Sequence, residues 1–250
     1  MLARVLWLRG YLDQAAQQAC ATLEEAQATD YNLSICEALR LAVCPLALMA
    51  GDLARGEQAV ALLSDIANRS NAAFWKILAR CLRGRLLVMR GEFAPGVALL
   101  GAEIEASTAT GWAISHPEFL GALAEGLTGL GRLTEALASV DQALVKADCG
   151  GDRYYVPELL RIRGELLLRQ EVDPPIATAE SCFEHAIEMA RGQNALFWEL
   201  RGALSLTRLR LGQSRQDEAR QILASVYDRF TEGFDTAVLK TAKALLDTLR

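Results

Sequence analysis

Four six-residue segments share one frame, in which a glycine, an apolar residue and a small residue stand at the first, third and sixth positions. They are GYLDQA at 10–15, GDLARG at 51–56, GEFAPG at 91–96 and GRLTEA at 131–136. The small residue recurs twice more, so the full set is Ala15, Gly56, Gly96, Ala136, Ala179 and Ala219, with spacings of 41, 40, 40, 43 and 40 residues. Self-similarity of this length predicts a stack of repeated supersecondary units.

The frame is explained by a helix, a tight turn and a second helix. A glycine just past an apolar helical run supplies the left-handed backbone that ends a helix, and a polar residue soon after it begins the next one. The small residue then lies where the second helix crosses the first, because a larger side chain would force the two backbones apart. We therefore expect all six small residues to be buried.

Apolar residues around each frame follow a helical period. Ile35, Leu39 and Val43 suit a first helix over about 34–50, and Val60, Leu63 and Ala67 suit its partner. The same pairing is predicted at about 71–90 with 93–107, 116–130 with 133–148, 156–170 with 174–191 and 195–211 with 216–230. Ser115 and Asp173 are predicted N-caps before first-turn prolines.

The predicted fold class is therefore all-α. We expect a right-handed α-solenoid of about six helix pairs in one domain over 1–250, closed by an amphipathic capping helix after residue 236.

The first nine residues form a short segment that is apolar on nearly every side. Leu2, Val5, Leu6, Trp7 and Leu8 have no preceding helix to cover them, and a stack of repeats cannot leave such an edge in water. Two explanations stay open: the chain is the C-terminal part of a larger protein, or this edge binds a partner, with self-association through Leu6 and Trp7. The segment is too short to span a membrane and lacks a signal-peptide cleavage site.

Composition favours a cytoplasmic helical protein. The net charge of -5, with acidic and basic residues interspersed, leaves no basic stripe for nucleic acid. The six cysteines form no Cys-x-x-Cys pair and are interpreted as reduced core residues. Motifs for phosphate-binding loops, acyl-transfer serines and zinc-binding histidine pairs are missing from the sequence, so we predict no catalytic residue, no metal ligand and no cofactor.

Histidine and cysteine offer one further candidate. Cys182 stands three residues before His185 on one helix face, a spacing that a thiolate pair could use. A catalytic dyad also needs a pocket and an orienting third group, which the sequence does not provide. We predict structural roles for Cys182, His185 and His116, the other histidine.

Four segments carry a resemblance to a known family: Gly151–Tyr155, Glu158–Leu168, Ala179–Ile187 and Phe230–Thr236. The units resemble tetratricopeptide repeats of the longer kind. From about residue 110 onward the chain is similar to the C-terminal region of large bacterial signalling proteins, in which a class III cyclase or winged-helix domain precedes a P-loop regulatory ATPase and a helical-repeat tail. Neither the cyclase nor the ATPase is in this sequence, so the resemblance implies a regulatory or docking tail without those activities.

The resemblance also implies a concave groove lined by the first helix of each pair. Its N-terminal half is apolar, at Ala38, Leu41, Leu48, Leu78, Cys81, Val88 and Met89, with Arg85 among them. Its C-terminal half is charged, at Glu118, Glu125, Glu158, Arg161, Glu165, Arg169, Glu199 and Arg210. These charges either form ordinary helix-surface pairs, Glu158 with Arg161 and Glu165 with Arg169, or hold an extended or helical peptide.

Arg153, Tyr154 and Tyr155 form the most polar and aromatic loop between units. This loop is either a recognition loop or a linker whose tyrosines cover the next helix pair.

The predicted function is a non-catalytic interaction module that binds a protein, a peptide or a neighbouring domain in its groove. The alternative is a sensory domain that binds a small effector in the channel of the superhelix. A buried pocket of converging polar groups would favour the effector, and an open groove would favour the peptide.

Overall fold

A computed structural model describes residues 1–70, 72–109, 111, 116–150, 153–170 and 175–249. Within these ranges all regular structure is helical. The helices are α1 (Leu2–Leu8), α2 (Leu12–Ala28), α3 (Asn32–Ala38), α4 (Cys44–Ala50), α5 (Leu53–Arg69), α6 (Ala73–Met89), α7 (Phe93–Ala109), α8 (His116–Gly129), α9 (Leu133–Gly150), α10 (Val156–Leu168), α11 (Ile176–Gly192), α12 (Leu196–Gly212), α13 (Gln216–Tyr227) and α14 (Ala237–Thr248). A 3-10 turn, Arg153–Tyr155, precedes α10.

The bounds of the predicted helices are confirmed to within about three residues at each end. Each leading glycine also ends a helix as expected, with φ of 92° at Gly10, 74° at Gly51, 82° at Gly91 and 74° at Gly131. These left-handed angles are strained for residues with a Cβ, which explains the glycine. The predicted N-caps Ser115 and Asp173 lie outside the described residues.

Consecutive helices pack against each other along the chain. The six small residues lie at these contacts, and all six are buried as predicted. At Gly96 on α7 the two helices approach closely, because an added Cβ would lie 2.8 Å from Val88 Cγ2, 3.0 Å from Val88 N and 3.1 Å from Gly84 O. Two of these atoms belong to the backbone of α6, so packing itself requires a residue without a side chain here.

A π-helical turn, Leu39–Val43, joins α3 and α4 into one continuous helix, Asn32–Ala50. The backbone N–H of Cys44 donates to Leu39 O, five residues back. Pro45 follows directly and has no N–H to donate. The wider turn accommodates this break in the helical hydrogen-bond pattern. The sequence predicted one regular helix here and missed the turn.

In the described part of the chain, Asn32–Ala50 is also the one helix long and apolar enough to cross a membrane. About half of its apolar window, 56%, is buried inside the fold. The core helix of a soluble protein has the same character.

The two ends of the chain meet. Helices α6, α8, α10, α12, α1 and α4 contact one another in that order, so α1 lies between α12 and α4. The ring of Trp7 packs edge-on against Phe197 with centroids 5.4 Å apart. The expectation that Trp7 is uncovered is therefore wrong, because α12 covers it and leaves only 3% of it exposed. Leu2 and Val5 remain exposed on the other side of α1.

Hydrogen bonds between α2 and the segment after α13 also hold the two ends together. Glu232, between α13 and α14, accepts hydrogen bonds from the backbone N–H groups of Asp13 and Gln14, each at 3.0 Å. Asp13 Oδ2 in turn accepts from Gly233 N at 3.1 Å. Glu232 thus caps α2, a helix more than two hundred residues away in sequence. The sequence indicated only that this segment breaks the helical pattern.

Candidate functional site

The inner face is the side on which α6, α8, α10, α12 and α1 come together. Its centre is a polar network of two clusters: Arg4, Arg85, Glu118 and Tyr154 form one, and Glu125, Glu158, Arg161 and Arg201 form the other. Arg85 also interacts electrostatically with Tyr155 and Glu158. Five of the residues expected in a groove, Arg85, Glu118, Glu125, Glu158 and Arg161, therefore do lie close together. They mostly bond to each other.

Glu158 on α10 is the best-satisfied group in the network. Arg161 donates to both of its carboxylate oxygens at 3.0 and 2.7 Å, and Arg201 on α12 donates to the same two oxygens at 2.9 and 2.6 Å. Burial by itself would raise the pKa of Glu158, but the two guanidinium groups lower it to about 2. The carboxylate is therefore ionised and fully occupied at neutral pH.

Glu118 on α8 is the second centre of the network. It bonds to Tyr154, and its carboxylate lies 3.4 Å from Arg85 Nη1 and 3.6 Å from Arg4 Nη1. Arg4 also donates to the hydroxyl of Tyr154 at 2.9 Å. Helix α1 is thereby connected to the inner face by charge as well as by the Trp7 ring contact.

The expectation of an open groove is wrong for four of its charged residues. Glu118, Glu158, Glu199 and Arg210 are all buried. Glu199 accepts from Arg191 on α11 and from Arg229, and Arg210 pairs with Glu180 on α11. A sequence pattern places a charge on a helix face, but it does not tell which neighbouring helix supplies its partner.

The predicted pair of Glu165 and Arg169 is also wrong. Glu165 accepts a hydrogen bond from the Ser205 hydroxyl at 2.7 Å and lies 3.8 Å from Arg161 Nη1. It is turned toward α12, and Arg169 is left on the surface. The predicted pair of Glu158 and Arg161 is confirmed, although it is buried and not on the surface.

The loop at Arg153, Tyr154 and Tyr155 is mostly covered. Tyr155 is buried and packs edge-on against Trp198 with centroids 5.5 Å apart. Tyr154 bonds to Arg4, and only Arg153 extends into solvent. The interpretation as a linker whose tyrosines cover the following helices agrees with this placement, and the recognition-loop interpretation of the two tyrosines does not.

Two adjacent cavities open on the inner face. The first, of about 370 Å³, is bordered by residues of α7, α8, α10 and α12: Phe93, Glu125, Thr128, Gly129, Arg161, Ile162, Glu165, Leu166, Arg169 and Arg208. The second, of about 290 Å³, is bordered by α4, α6, α10, α12 and α14. They share Arg161 and Arg208, so these two side chains border both spaces.

Arg169 and Arg208 differ from the other arginines of the inner face. Arg161 and Arg201 are committed to Glu158, and Arg85 faces Glu118. Arg169 and Arg208 border the first cavity, are exposed, and have no carboxylate within ion-pair distance among the residues that the structure describes. Among the described residues, these two guanidinium groups have no carboxylate to accept their hydrogen bonds at the cavity. An anionic ligand would supply such an acceptor.

Sequence reasoning included Arg169 but missed Arg201 and Arg208. A signal for them exists in α12, because Arg201, Ser205 and Arg208 recur at helical spacing and share one face. The role of that face depends on α10, which lies opposite it and bonds to Arg201 and Ser205.

The candidate pair of Cys182 and His185 is divided between the core and the surface. Cys182 is buried and its burial raises the pKa of the thiol, so it is not a thiolate, while His185 is exposed. Burial likewise raises the pKa of Cys44 and of Cys81 to about 12. Cys20 departs from the expected core placement, because it is exposed beside Arg55. No cluster of metal-ligating side chains occurs among the described residues.

Comparison with known proteins gives no assignment. No protein-family model matches the chain, and no curated protein matches it significantly. The argument for a function therefore depends on the geometry of the inner face.

Proposed function

We propose that this chain is a non-catalytic regulatory module, built as a right-handed solenoid of tetratricopeptide-like helix pairs, that binds a small anionic effector at the inner face. Arg169 and Arg208 are the proposed anion ligands. The observation that carries this proposal is their position: two guanidinium groups with no carboxylate in ion-pair distance among the described residues border one cavity of about 370 Å³.

The size and lining of the site support a small molecule. Cavities of roughly 300–1,000 Å³ with a few converging polar groups are typical of small-ligand sites. Here Phe93, Ile162 and Leu166 supply apolar surface beside the two arginines. The inner network supports the same reading, because buried ion pairs hold the arginine-bearing helices α10 and α12 in fixed relation.

Helical order along the chain supports the solenoid part of the proposal. Consecutive helices pack as neighbours, the small residues repeat at about forty residues and are buried, and the leading glycines are left-handed. The suggested setting, a bacterial cytoplasmic signalling protein in which this module couples a ligand to upstream domains, depends on the family resemblance alone.

A peptide or protein partner is the second candidate function. It is favoured by the exposure of Arg169 and Arg208, which a C-terminal carboxylate of a partner could reach from solvent. It is disfavoured by the burial of Glu118 and Glu158, since a groove peptide would need those side chains free.

The test is calorimetric titration with citrate and with inorganic phosphate at low salt. We expect saturable binding that is lost when Arg169→Gln and Arg208→Gln are combined. The control is Arg220→Gln, which removes an exposed arginine of α13 that borders neither cavity and should leave binding unchanged. Equal binding by both variants would overturn the proposal, and so would a parent protein that binds no small anion.

The same variants address the peptide candidate. Peptides with acidic C-termini are titrated in parallel, each with its amidated counterpart. Peptide binding that needs the free carboxylate and both arginines, in the absence of citrate and phosphate binding, would establish the second candidate in place of the first. Thermal melts of each variant separate loss of binding from loss of fold.

A further inference from the structure

The second cavity has a wall unlike that of the first. Its lining from the N-terminal half is apolar, with Leu48, Met49 and Met89, and α12 and α14 add Leu204 and Val238. Among its described lining residues none is acidic, and the charged ones are Arg161, Arg201 and Arg208. A space that is apolar on one side and cationic on the other matches a molecule with both characters.

Arg208 connects this apolar space to the anion site. It borders both cavities, and unlike Arg161 and Arg201 it forms no ion pair with Glu158. A ligand whose anionic group reaches Arg208 therefore has apolar surface within reach on the α4 and α14 side. Met49 and Met89 suit such a ligand, because their flexible thioether side chains adapt to the shape of what they contact.

We propose that the effector is an amphiphilic organic acid, with its anionic group at Arg169 and Arg208 and its acyl or aryl body in the second cavity. This inference rests on the proposed function and adds the chemical class of the ligand. It assigns a role to the apolar N-terminal half of the inner face, which binding of a simple anion leaves unused.

The volume favours a free acid over a lipid with several chains. The second cavity holds about 290 Å³, which is at the lower end of the range for small-molecule sites. Its lining comes from five helices, α4, α6, α10, α12 and α14. A single short chain or ring fits such a space.

The experiment is a titration series with acetate, hexanoate and decanoate, with decanol as the uncharged control. Each methylene that leaves water contributes about 0.8 kcal/mol, which corresponds to roughly a fourfold gain in affinity. We therefore expect affinity to rise with chain length, decanoate to bind at least tenfold more tightly than decanol, and the combined Arg169→Gln and Arg208→Gln variant to lose that preference.

A blocking variant tests the location of the chain. Thr241 is exposed on α14 and borders the second cavity, so Thr241→Trp should fill the space and weaken decanoate at least tenfold while leaving acetate, citrate and phosphate unchanged. Ala244→Trp, three residues further along α14 and outside both linings, is the matched control. Melting temperatures of both variants are measured alongside.

The outcomes separate the two proposals. Binding of citrate or phosphate through the two arginines, with no gain from acetate to decanoate, overturns the amphiphile inference and leaves the anion site standing. Decanoate binding that Thr241→Trp does not weaken also overturns the inference. Failure of every anion to bind overturns the proposed function itself.

Discussion

Glu232 accepts a hydrogen bond from the backbone of Asp13 across the junction of the chain's two ends. The Asp13 backbone N–H donates to Glu232 Oε1 at 3.0 Å, and the Asp13 side chain accepts from Gly233 N at 3.1 Å. The first helix pair is thereby held against the segment that follows α13. Closure of the helical array thus depends on a capping interaction that is remote in sequence.

Removal of this cap should loosen the closure. We expect Glu232→Ala to lower the free energy of unfolding by about 1–2 kcal/mol, because the first turn of α2 loses the acceptor for two backbone N–H groups. Urea unfolding gives the energy, and amide exchange at residues 13 and 14 should quicken. Glu25→Ala, at an exposed position of α2 with no bonded partner in the described residues, is the control. An equal loss in both variants would contradict the role of the cap.

Two glycines of α7 should respond oppositely to alanine. Gly96→Ala should cost roughly 1–3 kcal/mol, because its Cβ would lie within 3.1 Å of backbone atoms of α6. Gly101, five residues along the same helix, has open space, so Gly101→Ala should stabilise the protein by about 0.4–1 kcal/mol. Thermal melts of the two variants measure both changes in stability. If Gly96→Ala melts no lower than the parent, the close helix approach is wrong.

Acid should erase the contribution of Glu158. Its pKa falls from an ordinary 4.5 to about 2 in the folded protein, so its stabilisation is complete above pH 4.5 and is lost as pH falls toward 2. This pKa difference between the unfolded and the folded state corresponds to roughly 3 kcal/mol of stability. We expect Glu158→Gln to be destabilising at pH 7, because it leaves the charges of Arg161 and Arg201 uncompensated. The difference in free energy of unfolding between parent and variant should narrow between pH 4.5 and 3.

Urea unfolding of parent and variant at several pH values measures this gap. Glu25→Gln, which changes an exposed carboxylate, should show no such narrowing. A gap that stays constant from pH 7 to pH 3 would show that the carboxylate charge of Glu158 contributes nothing.

Self-association through the N-terminal edge stays a prediction, with a revised surface. Trp7 is committed to Phe197, so the apolar residues left for a partner are Met1, Leu2 and Val5. We expect Leu2→Ser combined with Val5→Ser to lower the mass found by light scattering at high protein concentration, without a change in melting temperature. A parent that is monomeric throughout, or a variant of unchanged mass, would remove this edge as a contact.

Local features of the fold were predictable because their causes are local. Gly51 and Gly131 end helices through their own backbone conformation, and Ala136 is buried because its neighbouring helix is adjacent in sequence. Such features are visible in a window of about forty residues. The π-helical turn before Pro45 is also local, yet the apolar period runs through it and conceals it.

The closure and the partners of the inner charges were not predictable in this way. Trp7 meets Phe197 across 190 residues, a separation at which a local sequence pattern carries no information on contacts. Glu158 takes a second arginine from α12, because α10 and α12 are neighbours in space, and a pattern within one helix does not show this. Glu199 was likewise assigned to a groove, because its own helix does not reveal its partner Arg229.

The meeting of the two ends also shapes how the chain can fold. Helix α1 is synthesised well before α12, which supplies the aromatic partner of Trp7. Closing a loop of 219 residues costs on the order of 5 kcal/mol of chain entropy, which no local contact repays. Long-range closure of this kind slows folding. During synthesis Trp7 therefore stays without its aromatic partner until residue 197 has emerged, and its burial reports the meeting of α1 and α12.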